Sequence, residues 1–233
     1  MIFFDIDGTL IDHESASAEA SWSFYDHFRG AISFARVKFP VIWEEILNKH
    51  FNRFCRGEIS LWEQRRARMR EVFEQDLSDR DADARYQVFM REYEARTSAF
   101  EDAAPCLAKL NGTRLGIISN GAREQQIGKL QRAGLLEHFS VLLFSEDVGL
   151  GKPAPSIFLE ACRLAGEEPK SCAHVGDNVE ADVIPSRALG MCGICLDRRG
   201  TSTITSPVIA TLSELPELLS NRTPGILAAT GAD

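Results

Sequence analysis

Two aspartates stand two residues apart where an apolar run near the start of the chain ends, Ile2-Phe3-Phe4-Asp5-Ile6-Asp7-Gly8-Thr9. Ile2 to Phe4 reads as a buried strand that stops at a turn. Side chains alternate along a strand, so Asp5 and Asp7 leave it on the same side. Two carboxylates held so close repel each other unless a cation or a shared proton lies between them. One is then available to attack an electrophile or to move a proton. The plain alternative is that Asp7-Gly8 only makes a turn.

Other polar groups recur at comparable places. The run Arg114 to Ile118 reads as a strand that stops at Ser119-Asn120-Gly121. Ala173 to Val175 reads as another, ending at Gly176-Asp177, with Asp182 five residues later. A loop, Gly149 to Pro153, adds Lys152. Each has a bland reading: Ser119 as a helix cap, Lys152 as a solvated charge, Asp177-Asn178 as a turn. Their joint occurrence at successive strand ends argues for a site, because open α/β sheets bind ligands beyond the carboxyl ends of their strands.

The elements that must position these residues follow from the pattern. From about residue 101, strands alternate with helices (strands at 114–118, 141–144, 173–175 and 191–196), which implies an α/β fold with a doubly wound parallel sheet. Residues 14–100 read instead as four helices. Trp22, Tyr25 and Phe28 recur at helical spacing in the first, Val41 to Phe54 carries the second, and Ser60 to Glu63 is a capping box opening the third. Asp79 to Phe100 is the fourth, with Tyr86, Phe89, Met90 and Tyr93 on one face. This is a four-helix bundle with aromatic core stripes, inserted after the first strand. The expected domains are a core of 1–13 with 101–220, a helical cap of 14–100, and a tail of 221–233 that is expected to be mobile.

The bulk numbers narrow the function. A chain of 233 residues, 44% hydrophobic and 26% charged, is ordinary for a globular protein with a sizeable core. A formal net charge of −8 argues against a broad electrostatic nucleic-acid binder. No stretch reaches the roughly 18 apolar residues of a membrane span, and no basic-then-apolar leader precedes the first strand, so a cytoplasmic protein is expected. Cys192 and Cys195 form a C-x-x-C within a strand, where they face opposite sides, which is poor geometry for one zinc. Reduced thiols are the expectation for all six cysteines.

The motifs DIDGT (Asp5 to Thr9), ISN (Ile118 to Asn120), GKPAP (Gly151 to Pro155) and GDNVEAD (Gly176 to Asp182), in this order, resemble those of the haloacid dehalogenase superfamily. The helical insert resembles that superfamily's four-helix cap. The resemblance implies a magnesium-dependent phosphate monoester hydrolase acting through an aspartyl-phosphate. Asp5 would be the nucleophile, and Asp7 the acid that protonates the leaving oxygen and then the base that activates water. Magnesium would be held by Asp5, the backbone carbonyl of Asp7, and Asp177. Asp182 would order a metal-bound water or pair with Lys152. Ser119, Lys152 and the backbone around Asn120 would grip the phosphoryl oxygens.

Position 7 separates branches of the superfamily. The dehalogenase branch lacks an aspartate two residues after its nucleophile, since a leaving halide needs no proton; the phosphonate-cleaving branch also lacks it. The expected partner is therefore a small phosphorylated metabolite. Within the superfamily the chain is most similar to capped nucleoside 5'-monophosphate phosphatases, on Arg56 to Gln64 and Ser145 to Gly149. A sugar-phosphate phosphatase, a phosphomutase and a binding or regulatory protein on the same fold are the alternatives. Substrate choice is expected in the cap, where Arg65 or Arg56 would reach a second anionic group and Trp62 would offer an aromatic face. The bland reading of Arg65, Arg66, Arg68 and Arg70 is a solvated face paired with Glu63, Glu71 and Glu74.

Overall fold

The computed structural model describes residues 1–204 and 207–222. They divide into two compact units, one built from Met1–Ile11 with the chain from Ala99 onward, the other from Asp12–Ser98. The tail expected from residue 221 lies, after Arg222, outside the described residues. Among the described residues no helix is long and apolar enough to cross a membrane.

The first unit is a six-stranded, all-parallel sheet with helices packed on it. Its strands are β1 (Ile2–Phe4), β2 (Leu115–Ser119), β3 (Phe139–Phe144), β4 (Ala173–Gly176), β5 (Cys192–Leu196) and β6 (Val208–Ile209), in spatial order β3-β2-β1-β4-β5-β6. A parallel strand must bury both faces, and β1 does so by alternation. Ile2 and Phe4 join one core with Ile117, Val175 and Ile194, while Phe3 joins another with Ile118, Ile157 and Phe158. The order reverses between β1 and β4, which lie side by side in register from Ile2 against Ala173 to Phe4 against Val175. Where the strand order of a parallel sheet reverses, a crevice opens beyond the carboxyl ends of the strands. Asp5 and Asp177 follow β1 and β4 at that edge.

Two details of this unit differ from the sequence pattern. The two-residue β6 is too short to show any periodicity. The helical stretch after β4 begins as a wide π-type turn, Val179–Val183, and only then continues as a short α-helix, Ile184–Ala188, whose Pro185 has no N–H to donate.

The second unit is four helices, α1 (His13–His27), α2 (Phe39–Cys55), α3 (Leu61–Phe73) and α4 (Asp79–Arg96); the helices of the first unit that follow them in the chain begin with α5 (Ala103–Lys109), α6 (Arg123–Arg132), α7 (Ser145–Val148) and α8 (Pro155–Ala165). Asp12 caps α1 by accepting from the Ser15 N–H, and the capping box of Ser60 with Glu63 opens α3. Helix α2 starts before Pro40, a residue the first turn tolerates because its missing N–H has no partner there anyway. Helix α4 stops at Arg96, where Thr97 turns extended and bonds its hydroxyl to the Tyr93 carbonyl, 2.9 Å away. The core is aromatic. The Phe24 ring meets those of Phe28, Phe39, Trp43, Phe73 and Phe89, and Trp43 lies 4.2 Å from Phe89. Trp22 is exposed instead, because two residues turn about 200° around a helix and place it opposite Phe24.

The arginines of α3 do not make the ion pairs expected of a solvated face. Arg66 pairs with Asp79 and Asp83, and Arg70 with Asp79. Arg68 is buried, its guanidinium 4.9 Å from the Trp43 ring centre and 5.5 Å from that of Tyr86. Glu63 is committed to the capping box, Glu71 to Lys49 and His50, and Glu74 to Ser33.

Candidate active site

A group of polar side chains converges beyond the carboxyl ends of β1, β2 and β4. Asp5 is buried directly after β1, its N–H donating 2.9 Å to the Val175 carbonyl, so the backbone ladder itself aims the carboxylate. Lys152, 3% exposed at its side chain, places Nζ 2.7 Å from Asp5 Oδ1 and 2.5 Å from Asp182 Oδ1. Burial alone would lower the pKa of this lysine, but the charges of Asp182 and Asp5 outweigh it and raise its pKa. The Lys152 loop is clamped to β2: the Lys152 N–H donates 2.7 Å to Asn120 Oδ1, and Asn120 Nδ2 donates 2.9 Å back to the Lys152 carbonyl.

Carboxylates crowd the other side. Oxygens of Asp5, Asp177 and Asp182 all lie within 4.8 Å of one another. Burial raises the pKa of Asp5, with Asp182 and Asp7 adding to the effect and Lys152 opposing it. Asp177 keeps contact with solvent, yet the protein around its carboxylate, then the charges of Asp5 and Asp182, push it up to about 7. Asp182 goes the other way. Burial would raise it, but Lys152 and His174 hold it down at about 2. Two glycines make the crowding possible. Gly8, at φ 81°, has the Asp177 carboxylate where a Cβ would sit, 2.3 Å from it, and a Cβ on Gly176 would meet Asp182 Cγ at 2.3 Å.

Asp7 belongs to a second ion pair. Lys129 of α6 (Arg123–Arg132) puts Nζ 2.6 and 2.8 Å from the two Asp7 oxygens. Gln126, one turn earlier, donates through Nε2 to Asp7 Oδ2 at 3.0 Å, Ser119 Oγ at 2.9 Å and the Asn120 carbonyl at 3.2 Å. The Ser119 hydroxyl is buried. The site thus holds two lysine–aspartate pairs, one on each acidic residue of the first motif.

An all-oxygen cluster with facing carboxylates fits a hard divalent cation. Asp5 and Asp177 repel each other in the chain alone, and a magnesium-sized charge between them would relieve that. Asp182 already accepts from Lys152, from His174 Nε2 at 2.9 Å and from the Asn178 N–H at 3.2 Å, which suits it to bracing rather than ligation.

Comparison with known proteins identifies the family. The profile of the haloacid dehalogenase-like hydrolases matches residues 1–190. The chain belongs to that family. It is similar to a phosphoserine phosphatase from Thermus thermophilus, 38% identical over 48% of this chain and 45% of that protein. It is also similar to the N-acylneuraminate-9-phosphatase of Rattus norvegicus, 25% identical over 94% of this chain and 93% of the relative. The chain spans less than half the length of the first curated relatives it matches. A solved structure of the HAD-hydrolase YfnB from Bacillus subtilis, bound to magnesium, shares the fold at a TM-score of 0.81, with 22% identity over 94% of this chain and 97% of that one.

In this haloacid dehalogenase-like hydrolase, Asp5, Asp7, Ser119, Asn120, Lys152, Asp177 and Asp182, singled out from sequence, all lie at one end of one sheet. Three polar residues of that edge were not singled out: Gln126, Lys129 and His174. Gln126 and Lys129 sit three apart on α6, one turn of spacing that gave a signal for a helix face but none for its partner. His174 stands in β4 as the one ionisable residue of Ala173-His174-Val175-Gly176, a mark the strand pattern did not weigh. The helical-unit candidates are engaged locally. Arg56 is exposed and bonds Glu58 at 2.6 Å. Trp62 is exposed, and the guanidinium of buried Arg65 lies 5.2 Å from its ring centre and 5.0 Å from that of Tyr86.

Proposed function

We propose that this chain hydrolyses phosphate monoesters of small metabolites through a covalent intermediate on Asp5. The observation that carries this is the pair of acidic residues at the tip of β1, each held by its own buried lysine. Asp5, against Lys152, is the nucleophile: its oxygen attacks phosphorus in line as the ester oxygen departs. Asp7 gives a proton to that leaving oxygen, then takes one from the water that attacks the aspartyl-phosphate. The presence of Asp7 favours an oxygen leaving group over a halide, which needs no acid.

Lys152, the Ser119 hydroxyl and the backbone around Asn120 bind the phosphoryl oxygens, and positioning with charge neutralisation is what phosphoryl transfer mainly requires. The carboxylates of Asp5 and Asp177, with the Asp7 carbonyl, would hold magnesium, which supplies charge neutralisation for the transferring group. Asp182 keeps Lys152 charged and in place.

The relatives named for phosphoserine and N-acylneuraminate 9-phosphate support a small phosphorylated metabolite as substrate. Nucleoside 5'-monophosphates are the finer reading from the sequence. Phosphate release from a panel of nucleotides, sugar phosphates, phosphoserine and an aryl phosphate tests both, run with magnesium, with chelator, and with Asp5→Asn. Magnesium-dependent release abolished in Asp5→Asn upholds the reaction, and the ranking identifies the substrate. Release that persists in Asp5→Asn, or none from any ester, overturns it.

A further inference from the structure

Within β4 the sheet buries a residue it has no packing reason to choose. His174 is 0% exposed, in register with Phe3 of β1 and Gly193 of β5, and its ring meets Phe158 of α8 (Pro155–Ala165) edge-on at 5.2 Å. Valine or leucine would fill such a position without the cost of desolvating an imidazole. What the imidazole adds is one hydrogen bond: Nε2 lies 2.9 Å from Asp182 Oδ1. Nδ1 is buried with no hydrogen-bond partner. A carboxylate only accepts, so Nε2 carries the proton in this bond.

The bond continues outward. Asp182 Oδ1, which accepts from His174 Nε2, also accepts from Lys152 Nζ at 2.5 Å, and Oδ2 accepts from the Asn178 N–H at 3.2 Å. Lys152 in turn reaches Asp5 Oδ1 at 2.7 Å. A line of polar contacts therefore runs from the sheet interior to the nucleophile. Lysine is a flexible side chain bearing a point charge, and its aim is only as good as that of the carboxylate behind it.

We propose that His174 is a positioning residue: it fixes the plane of Asp182 and so aims Lys152 at Asp5 and at the phosphoryl group of the substrate. This rests on the phosphatase reading of the site. Outer partners of this kind, acting through another side chain, typically change activity by about 10–100-fold when removed.

The test compares His174→Leu, which keeps the packing and loses the donor, with His174→Gln, which keeps an N–H at a similar reach. Aryl phosphate hydrolysis gives kcat and KM, and thermal unfolding gives stability. His174→Leu is expected to lower kcat by about 10–100-fold with KM within about threefold, while keeping or raising the unfolding midpoint. His174→Gln should recover most of kcat. In a Lys152→Met background, His174→Leu should cost little more, because the effect passes through Lys152. An unchanged kcat in His174→Leu overturns the proposal, and so does a loss as large in the Lys152→Met background as in the wild type. If the wild type releases no phosphate, or Asp5→Asn still does, the phosphatase reading has failed. Nitrogen-15 spectra of the histidines then decide the positioning claim. A protected Nε2–H signal that moves in both Asp182→Asn and Lys152→Met upholds it, and an Nδ1–H tautomer overturns it.

Discussion

Lys129 Nζ lies 2.6 and 2.8 Å from the two carboxylate oxygens of Asp7, and its own side chain is 3% exposed. This pair makes the two motif aspartates unequal in stability. Asp5→Asn leaves Lys152 with Asp182 and removes a carboxylate whose raised pKa marks its charge as unfavourable in the fold. Asp7→Asn leaves Lys129 buried without that counter-charge, which is costly. Both variants should lose about 10³-fold or more in hydrolysis. In chelator, Asp5→Asn should unfold at the wild-type midpoint or a few degrees above it, as expected where function is bought with strain. Asp7→Asn should be destabilised by about 2 kcal/mol, several degrees for a domain of this size. Thermal unfolding of the three proteins checks this, and an Asp7→Asn midpoint at or above that of Asp5→Asn would refute it.

Lys129 also shows what could be read from the sequence and what could not. The four motifs and the β-α alternation located Asp5, Asp7, Ser119, Asn120, Lys152, Asp177 and Asp182, because strand ends in an α/β sheet share one edge by topology. Helix α6 was visible as a helix, but which of its polar residues faced Asp7 depends on how the helix lies on the sheet, which no local pattern encodes. The same holds for Phe24 over Trp22 in α1. Arg65 and Arg68 read as a charged face because sequence periodicity counts charge as polar, whereas guanidinium planes can lie on aromatic rings.

Asp177 would make magnesium binding depend on pH. Its folded pKa, about 7, stands above the ordinary 3.8. A carboxyl raised in this way stabilises the fold fully below the unfolded value, and that contribution is lost as pH climbs through the folded one. Metal-free protein should therefore lose stability between about pH 4 and pH 7, and Asp177→Asn should flatten that slope. Magnesium needs the ionised form, so its apparent affinity should weaken up to about tenfold per pH unit below 7, with proton release on binding. Calorimetric titration of magnesium at pH 6 and 7.5, in two buffers of different ionisation enthalpy, measures both. Equal affinity and no proton release would sink the assignment of Asp177.

A second carboxylate shows the opposite sign. Asp102 accepts both terminal nitrogens of Arg198 at 2.9 Å and the Leu212 N–H at 2.9 Å, while Arg198 also donates to the Thr9 carbonyl at 3.0 Å. Burial would raise the Asp102 pKa, but the Arg198 and Leu212 hydrogen bonds overcome it and hold it below 3.8. The stability it contributes is complete above its unfolded value and lost as pH falls through the lower folded one. Asp102→Asn should cost about 1–2 kcal/mol at pH 7 and progressively less below about pH 4. Urea unfolding of both proteins from pH 7 down to pH 3 would show a gap that narrows; a gap constant with pH would mean that the ion pair contributes nothing.

Arg68 poses the last question of balance, within the helical unit. Its side chain is buried, two of its guanidinium nitrogens, Nε and Nη2, have no hydrogen-bond partner, and burial lowers its pKa. Against that stand the rings of Trp43, Tyr86 and Phe89, with centres 4.9, 5.5 and 5.8 Å from Cζ. A desolvated cation–π contact is worth about 2 kcal/mol, and most of these rings would keep dispersion contact with any side chain of similar length. Burying a guanidinium with donors unmatched costs several kcal/mol, and replacing buried charges by apolar residues of similar volume is often neutral or stabilising by about 1–4 kcal/mol. Methionine matches the length of arginine's stem and makes favourable sulfur–aromatic contacts of its own. Arg68→Met should therefore unfold at the wild-type midpoint or a few degrees above it. A fall of more than about 3 °C, roughly 1 kcal/mol here, would show that the aromatic contacts outweigh desolvation and that the guanidinium holds the bundle together.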